Sequence, residues 1–131
     1  MELSQVRLIV RDFTRCYCFY RDVLGLKPQF DAEQGPYAKF ELPEGNAGIA
    51  LHSRADFEKT IAPLESEGGV RALVVLHVND VDATVREWTL RGAALEQQPR
   101  DVWGRLRVAY LKDPEGNLLE LQQWLLAQPK S

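Results

Sequence analysis

The feature that most constrains this chain is that its sequence repeats itself. Val10-Arg11-Asp12 returns as Val78-Asn79-Asp80, 68 positions on, and at the same spacing Tyr20 returns as Trp88. Pro43-Glu44-Gly45-Asn46 returns as Pro114-Glu115-Gly116-Asn117, 71 positions on. A drift of this size is what an insertion in one loop produces. Each copy reads β-α-β-β-β. Two such units, each with a helix over one sheet face, define an α+β chain. The expected architecture is two βαβββ modules, 1–66 with a linker and 67–131, together one domain. Their mixed sheets are expected to be cupped, with the helices on the outer face and the other side free to curve around a ligand.

Local patterns supply the elements. Leu3 to Val10 reads as the first strand, Val6, Leu8 and Val10 alternating with Gln5, Arg7 and Ile9. Asp12 is a helix N-cap, and Phe13, Tyr17, Tyr20 and Leu24 form one helical stripe that Gly25 closes. Leu26–Phe30, Tyr37–Leu42 and Gly48–Ser53 are short strand candidates between turn-rich separators. Arg54 to Gly69 has little period-2 signal, and Asp56–Leu64 suits one or two helical turns. In the second copy, the apolar run Val70–Val78 reads as a central strand. A helix with Val81, Val85, Trp88 and Leu90 follows the cap Asp80, and Gly92 ends it. Leu95–Gln98 is a strand fragment before Pro99, Asp101–Gly104 an irregular entry, and Arg105–Lys112 a strand.

The turn Asp113-Pro114-Glu115-Gly116-Asn117 then carries the chain back into the strand Leu118–Trp124. Leu119 and Leu121 share one face of that strand, and Glu120 and Gln122 share the other. The hairpin therefore delivers one carboxylate to the face opposite the apolar layer.

Bulk properties exclude several classes. The 131 residues are 45% apolar and 27% charged, ordinary for a globular domain, and the net charge of −3 argues against nucleic acid and anionic membranes as partners. No apolar run reaches the roughly 20 residues that span a bilayer, and no leader pattern is legible, so the expected location is the cytoplasm. Cys16 and Cys18, two apart on a helix, point to different sides and read as reduced packing thiols. No Ser-His-Asp order, phosphate-binding loop, GxGxxG or CxxC element is present.

The segments Gln5-Val6-Arg7-Leu8-Ile9-Val10-Arg11-Asp12, Phe19-Tyr20-Arg21-Asp22-Val23-Leu24-Gly25-Leu26, Trp103-Gly104 and Asp113-Pro114-Glu115-Gly116-Asn117 before Leu119-Glu120-Leu121 together resemble the vicinal oxygen chelate superfamily. That superfamily includes glyoxalase I, bleomycin-resistance proteins, fosfomycin-resistance proteins and extradiol dioxygenases. The resemblance covers nearly the whole chain. It implies paired βαβββ modules, a cupped sheet and a homodimer. In metal-dependent members it implies four ligand positions, which fall here on Gln5, Ala50 (or Ile49, if the Pro-Glu-Gly-Asn repeat sets the alignment), Leu73 and Glu120. Two of these hold side chains that coordinate nothing.

The expected function is accordingly small-molecule binding in a concave sheet cavity without a metal, like the bleomycin-resistance branch. The alternative is a divalent-metal-dependent lyase, isomerase or dioxygenase, with Gln5, His52 and Glu120 as the metal set. Whether the chain is an enzyme stays open; Glu120 is the best catalytic candidate, as a general base. The ligand-binding candidates are Gln5, Arg7, His52, His77, Trp103, Tyr110 and Glu120, with Tyr37 a weaker one. Arg7 is a plausible partner for Glu120, and Trp103 suits stacking on a planar ligand.

Overall fold

The computed structural model describes residues 5–42, 47–61, 63–64, 73–102 and 104–125. The chain divides into two compact units, Met1–Gly68 and Gly69–Ser131, and each builds one four-stranded mixed sheet. The α+β class expected from the repeat is what the chain adopts.

In the first unit, β1 (Gln5–Val10) is followed by α1 (Phe13–Cys18), which continues as a wider π-helical turn over Phe19–Val23. Then come β2 (Lys27–Pro28), β3 (Tyr37–Glu41), β4 (Gly48–Ser53) and α2 (Arg54–Thr60). The spatial order is β1-β4-β3-β2, with β1 parallel to β4 and the other pairs antiparallel. Asp12 caps α1 by accepting from the Arg15 amide. The predicted stripe Phe13, Tyr17, Tyr20 and Leu24 is buried. Its rings meet the sheet at Phe40, whose centroid lies 5.4 Å from Tyr17 and 6.1 Å from Tyr20. Phe40 pairs with Ile49 and Ala38 with Leu51, so these four define the face packed on α1. Gln5, Arg7, Tyr37, Lys39, Ala50 and His52 project from the other face.

The second unit repeats this plan: β5 (Leu73–His77), α3 (Val81–Leu90), β6 (Ala94–Val102), β7 (Leu106–Lys112) and β8 (Leu118–Trp124), in the order β5-β8-β7-β6. Asp80 caps α3 through the Ala83 amide at 3.0 Å, and Val81, Val85 and Trp88 bury one stripe. Leu119 and Leu121 are fully buried. The hairpin before β8 is built around Asp113, whose Oδ1 accepts from the Glu115 and Asn117 amides at 2.9 Å each. Its Oδ2 accepts from the Asn117 side chain at 2.8 Å.

The structure corrects several local expectations. The strand expected over Leu26–Phe30 shrinks to Lys27–Pro28. The one or two helical turns expected over Asp56–Leu64 begin earlier, at Arg54, because the Ser53 hydroxyl accepts from the Asp56 amide and starts α2 (Arg54–Thr60). The segment expected to be a central strand is an edge strand of its sheet; its apolar run reflects side chains half-buried on one face only. Leu90 is exposed, since a residue two positions past Trp88 lies on the far side of the helix. β6 runs through Pro99, which an edge strand tolerates at the register shift between Gln97 and Arg100. Trp103 and the Pro43–Asn46 copy of the turn lie outside the described residues.

Candidate functional site

Each module places a cluster of polar side chains on the sheet face away from its α1- or α3-type helix. In the first module, strand alternation sends Gln5, Arg7, Tyr37 and His52 to one face, and they engage one another. The Tyr37 hydroxyl donates to Gln5 Oε1 at 3.0 Å. The Arg7 guanidinium lies 5.0 Å from the centroid of the Tyr37 ring, a cation–π arrangement. Arg7 Nη1 is 3.4 Å from His52 Nδ1, and His52 Nε2 is 2.8 Å from Asp56 Oδ2. In the neutral ring this pattern selects the tautomer with the proton on Nε2, donating to Asp56, and the lone pair on Nδ1 facing the guanidinium. Tyr37 and Phe57 pack edge-on to the His52 ring at 6.0 and 5.5 Å. Phe30 stacks on Tyr37 at 6.3 Å and is itself 47% exposed. His52 is only 6% exposed, a buried polar group whose nitrogens both have partners.

In the second module the corresponding face centres on Glu120. The Tyr110 hydroxyl donates to Glu120 Oε1 at 2.5 Å, and the Gln122 amide donates to Oε2 at 2.7 Å. The bond to the carboxylate, with partial burial, pushes the Tyr110 phenol above its ordinary pKa, so it stays a donor through neutral pH. His77 is exposed and lies against the half-exposed indole of Trp124, ring centroids 4.4 Å apart.

Within the first module Gln5, Arg7 and His52 form one cluster; within the second, Tyr110 meets Glu120, and His77, opposite Gln122 in the β5–β8 ladder, lies against Trp124. The partners of Arg7 among the described residues are His52 and Tyr37. Asp56, Phe57, Phe30 and Lys39 were not anticipated. Asp56 and Phe57 cross a strand-to-helix junction, where neither period-2 nor period-3.6 counting carries over. Lys39 was in principle legible from the alternation Tyr37-Ala38-Lys39-Phe40-Glu41.

The ladders also align the modules. Arg7 and Lys39 both pair with Ala50, while Val75 and Tyr110 both pair with Glu120. Ala50, not Ile49, therefore occupies the position in β4 that Glu120 occupies in β8. Ala50 and Leu73 offer no donor atom. Gln5 Oε1 and both Glu120 oxygens accept hydrogen bonds, and the two nitrogens of His52 face Arg7 and Asp56. Among the described residues no group of three or more His, Cys, Asp or Glu side chains is arranged to hold a metal ion.

Paired βαβββ modules with these faces define a glyoxalase-type protein. Residues 2–121 match the family model of the Glyoxalase/Bleomycin resistance protein/Dioxygenase superfamily, and the chain belongs to that family. It is 34% identical to the uncharacterized protein YraH of Bacillus subtilis, over 95% of this chain and the whole of that protein. Its fold is similar to that of a glyoxalase/bleomycin resistance protein/dioxygenase from Nocardioides, with a TM-score of 0.80 and 22% identity, covering 100% of this chain and 89% of that one. It is also similar to that of TnmS3, an antibiotic binding protein from Streptomyces sp. CB03234, with a TM-score of 0.73 and 24% identity over 95% of this chain and 96% of that one. Among the described residues no helix is long and apolar enough to cross a membrane.

Proposed function

We propose that this protein binds a small organic molecule without a metal ion, as a binding module of the glyoxalase superfamily. One observation carries the reading: each module caps its candidate oxygen donor with a tyrosine. Tyr37 donates to Gln5 and Tyr110 to Glu120, while the two remaining ligand positions of the family are Ala50 and Leu73. Each phenol occupies one lone pair of its acceptor oxygen and orients that group toward itself. The antibiotic-binding role named for TnmS3 agrees with this reading. The alternative, a divalent-metal lyase, isomerase or dioxygenase, needs a third donor, and His52 is committed to Arg7 and Asp56.

Metal analysis of the purified protein tests the proposal. The expected result is far less than one equivalent of any divalent ion. One tightly held equivalent that disappears in Glu120→Ala would overturn it.

We further infer a cytoplasmic homodimer. Cys16 and Cys18 sit two apart on α1, where they cannot bridge each other, which suits a reducing compartment, and Val6 on edge strand β1 and Val75 on edge strand β5 leave apolar surface for a second copy to cover. Sedimentation at the mass of a single 14.9 kDa chain would sink the dimer.

A further inference from the structure

Helix α2 breaks the repeat. The ladders give His52 in β4 the place that Gln122 holds in β8: Ile9 and Tyr37 pair with His52, and His77 and Val108 pair with Gln122. In the second module the only helix among the described residues is α3, and Gln122 is half-buried with its amide turned to Glu120. In the first module the chain passes directly from β4 into α2, which lies against β4 and β1. Its side chains close over the face that carries Arg7 and Tyr37. Asp56 Oδ2 accepts from His52 Nε2 at 2.8 Å, and the Phe57 ring stands edge-on to the imidazole. His52, flanked on the sheet by Arg7 and Tyr37, is thereby buried.

The hold of α2 on the sheet is narrow. The helix has seven residues and buries none of them, and a helix so short has little stability of its own. The bonds from Arg54 to Glu58 and from the Thr60 hydroxyl to Asp56 O lie within α2 and move with it. Arg54 Nη2 reaches Leu64 O, which lies beyond the helix and not on the sheet. Toward the sheet, Asp56 and Phe57 converge on one side chain, His52. Ser53, in contrast, is pinned, its amide donating to Pro36 O at 2.7 Å. A fixed residue followed by a short element latched at one point is the build of a hinged cover.

We propose that α2 is a cover over the polar cluster of the first module. It releases His52 and unwinds while the sheet stays folded, and only the open state presents His52 to a ligand. This inference rests on the small-molecule-binding reading and gives that site a gate.

Two measurements on the full chain, with no ligand added, test it. In native-state hydrogen exchange, the amides of residues 57–61 are expected to share one opening free energy that hardly changes with urea, while those of β4 open with one that falls as urea rises. Diethylpyrocarbonate, which acylates unprotonated imidazole, is expected to modify His52 about tenfold or more slowly than the exposed His77. Phe57→Ala should speed the reaction at His52 about tenfold and leave His77 unchanged, and Asp56→Asn should give a smaller rise in the same direction. Exchange of α2 in step with β4 overturns the cover, and so does a graded series that shows end fraying alone. So does a His52 that reacts as fast as His77 in the wild type, or a His52 rate that both variants leave unaltered. Each of these outcomes leaves the metal-free reading to the metal analysis, so the two fail separately.

Discussion

The phenol of Tyr110 and the carboxylate of Glu120 share a hydrogen bond between adjacent strands, Oη to Oε1 at 2.5 Å. The bond is stronger with the phenol protonated, so folding raises the phenol's pKa above its ordinary 10.0. The sign follows: the bond's contribution to stability is complete below the unfolded phenol's pKa and drains as pH rises through the native one. Tyrosinate absorbance of the wild type, less that of Tyr110→Phe, should show Tyr110 ionising later than an ordinary tyrosine. Glu120→Gln should bring it back toward the ordinary value. An unshifted Tyr110 in the wild type would contradict the geometry.

His52 holds the first module's polar cluster together, touching Arg7, Asp56, Tyr37 and Phe57. His52→Ala removes a buried ring and strands its partners, at a cost of about 2–4 kcal/mol. Asp56→Asn keeps the shape and loses only charge assistance, costing about 1 kcal/mol. Urea midpoints should rank the variants in that order. The reverse order would mean that the ring is not packed as described.

Asp113 is 5% exposed, and the hydrogen bonds its carboxylate accepts from Glu115 and Asn117 shape the turn into β8. Asp113→Ala leaves buried donors unpaired and should cost about 3 kcal/mol. Asp113→Asn, which retains one acceptor oxygen, should cost less. Equal losses in chemical denaturation would show that the oxygen Asn retains contributes nothing by itself.

Arg107 joins α3 to β7 by gripping Asp82 with Nε and Nη2, while Nη1 reaches Asp101 at 2.9 Å. The guanidinium holds the Asp82 carboxyl below the usual carboxylate range. A depressed native pKa contributes stability above the unfolded value, and that contribution is lost as pH falls through the native one. Acid titration of stability should therefore be shallower in Arg107→Gln than in the wild type at the acid end. Parallel curves would remove the pair from the acid response.

Much of this was readable from residue order because it depends on neighbours in the chain. The caps Asp12 and Asp80, the stripe from Phe13 to Leu24 and the turn at Asp113 all involve groups within a few residues of one another. The alternation in β8 placed Glu120 opposite Leu119 and Leu121 by the same local logic. The apolar run Val70–Val78 misled, because a central and an edge strand present similar apolar sequences, and only pairing tells them apart. Helix α2 was anticipated as one or two turns over Asp56–Leu64, but its start at Arg54 was not, because that start depends on a single hydroxyl, that of Ser53.

The chain's order alone determined two βαβββ modules and which side of each strand faces its helix, since both follow from periodicity and backbone sterics. Only tertiary structure decided what the other face does. That Tyr37 reaches Gln5, Tyr110 reaches Glu120, and Arg7 and Lys39 flank Ala50 depends on strand register between segments tens of residues apart. A shift of one residue in that register would turn each of these side chains to the opposite face.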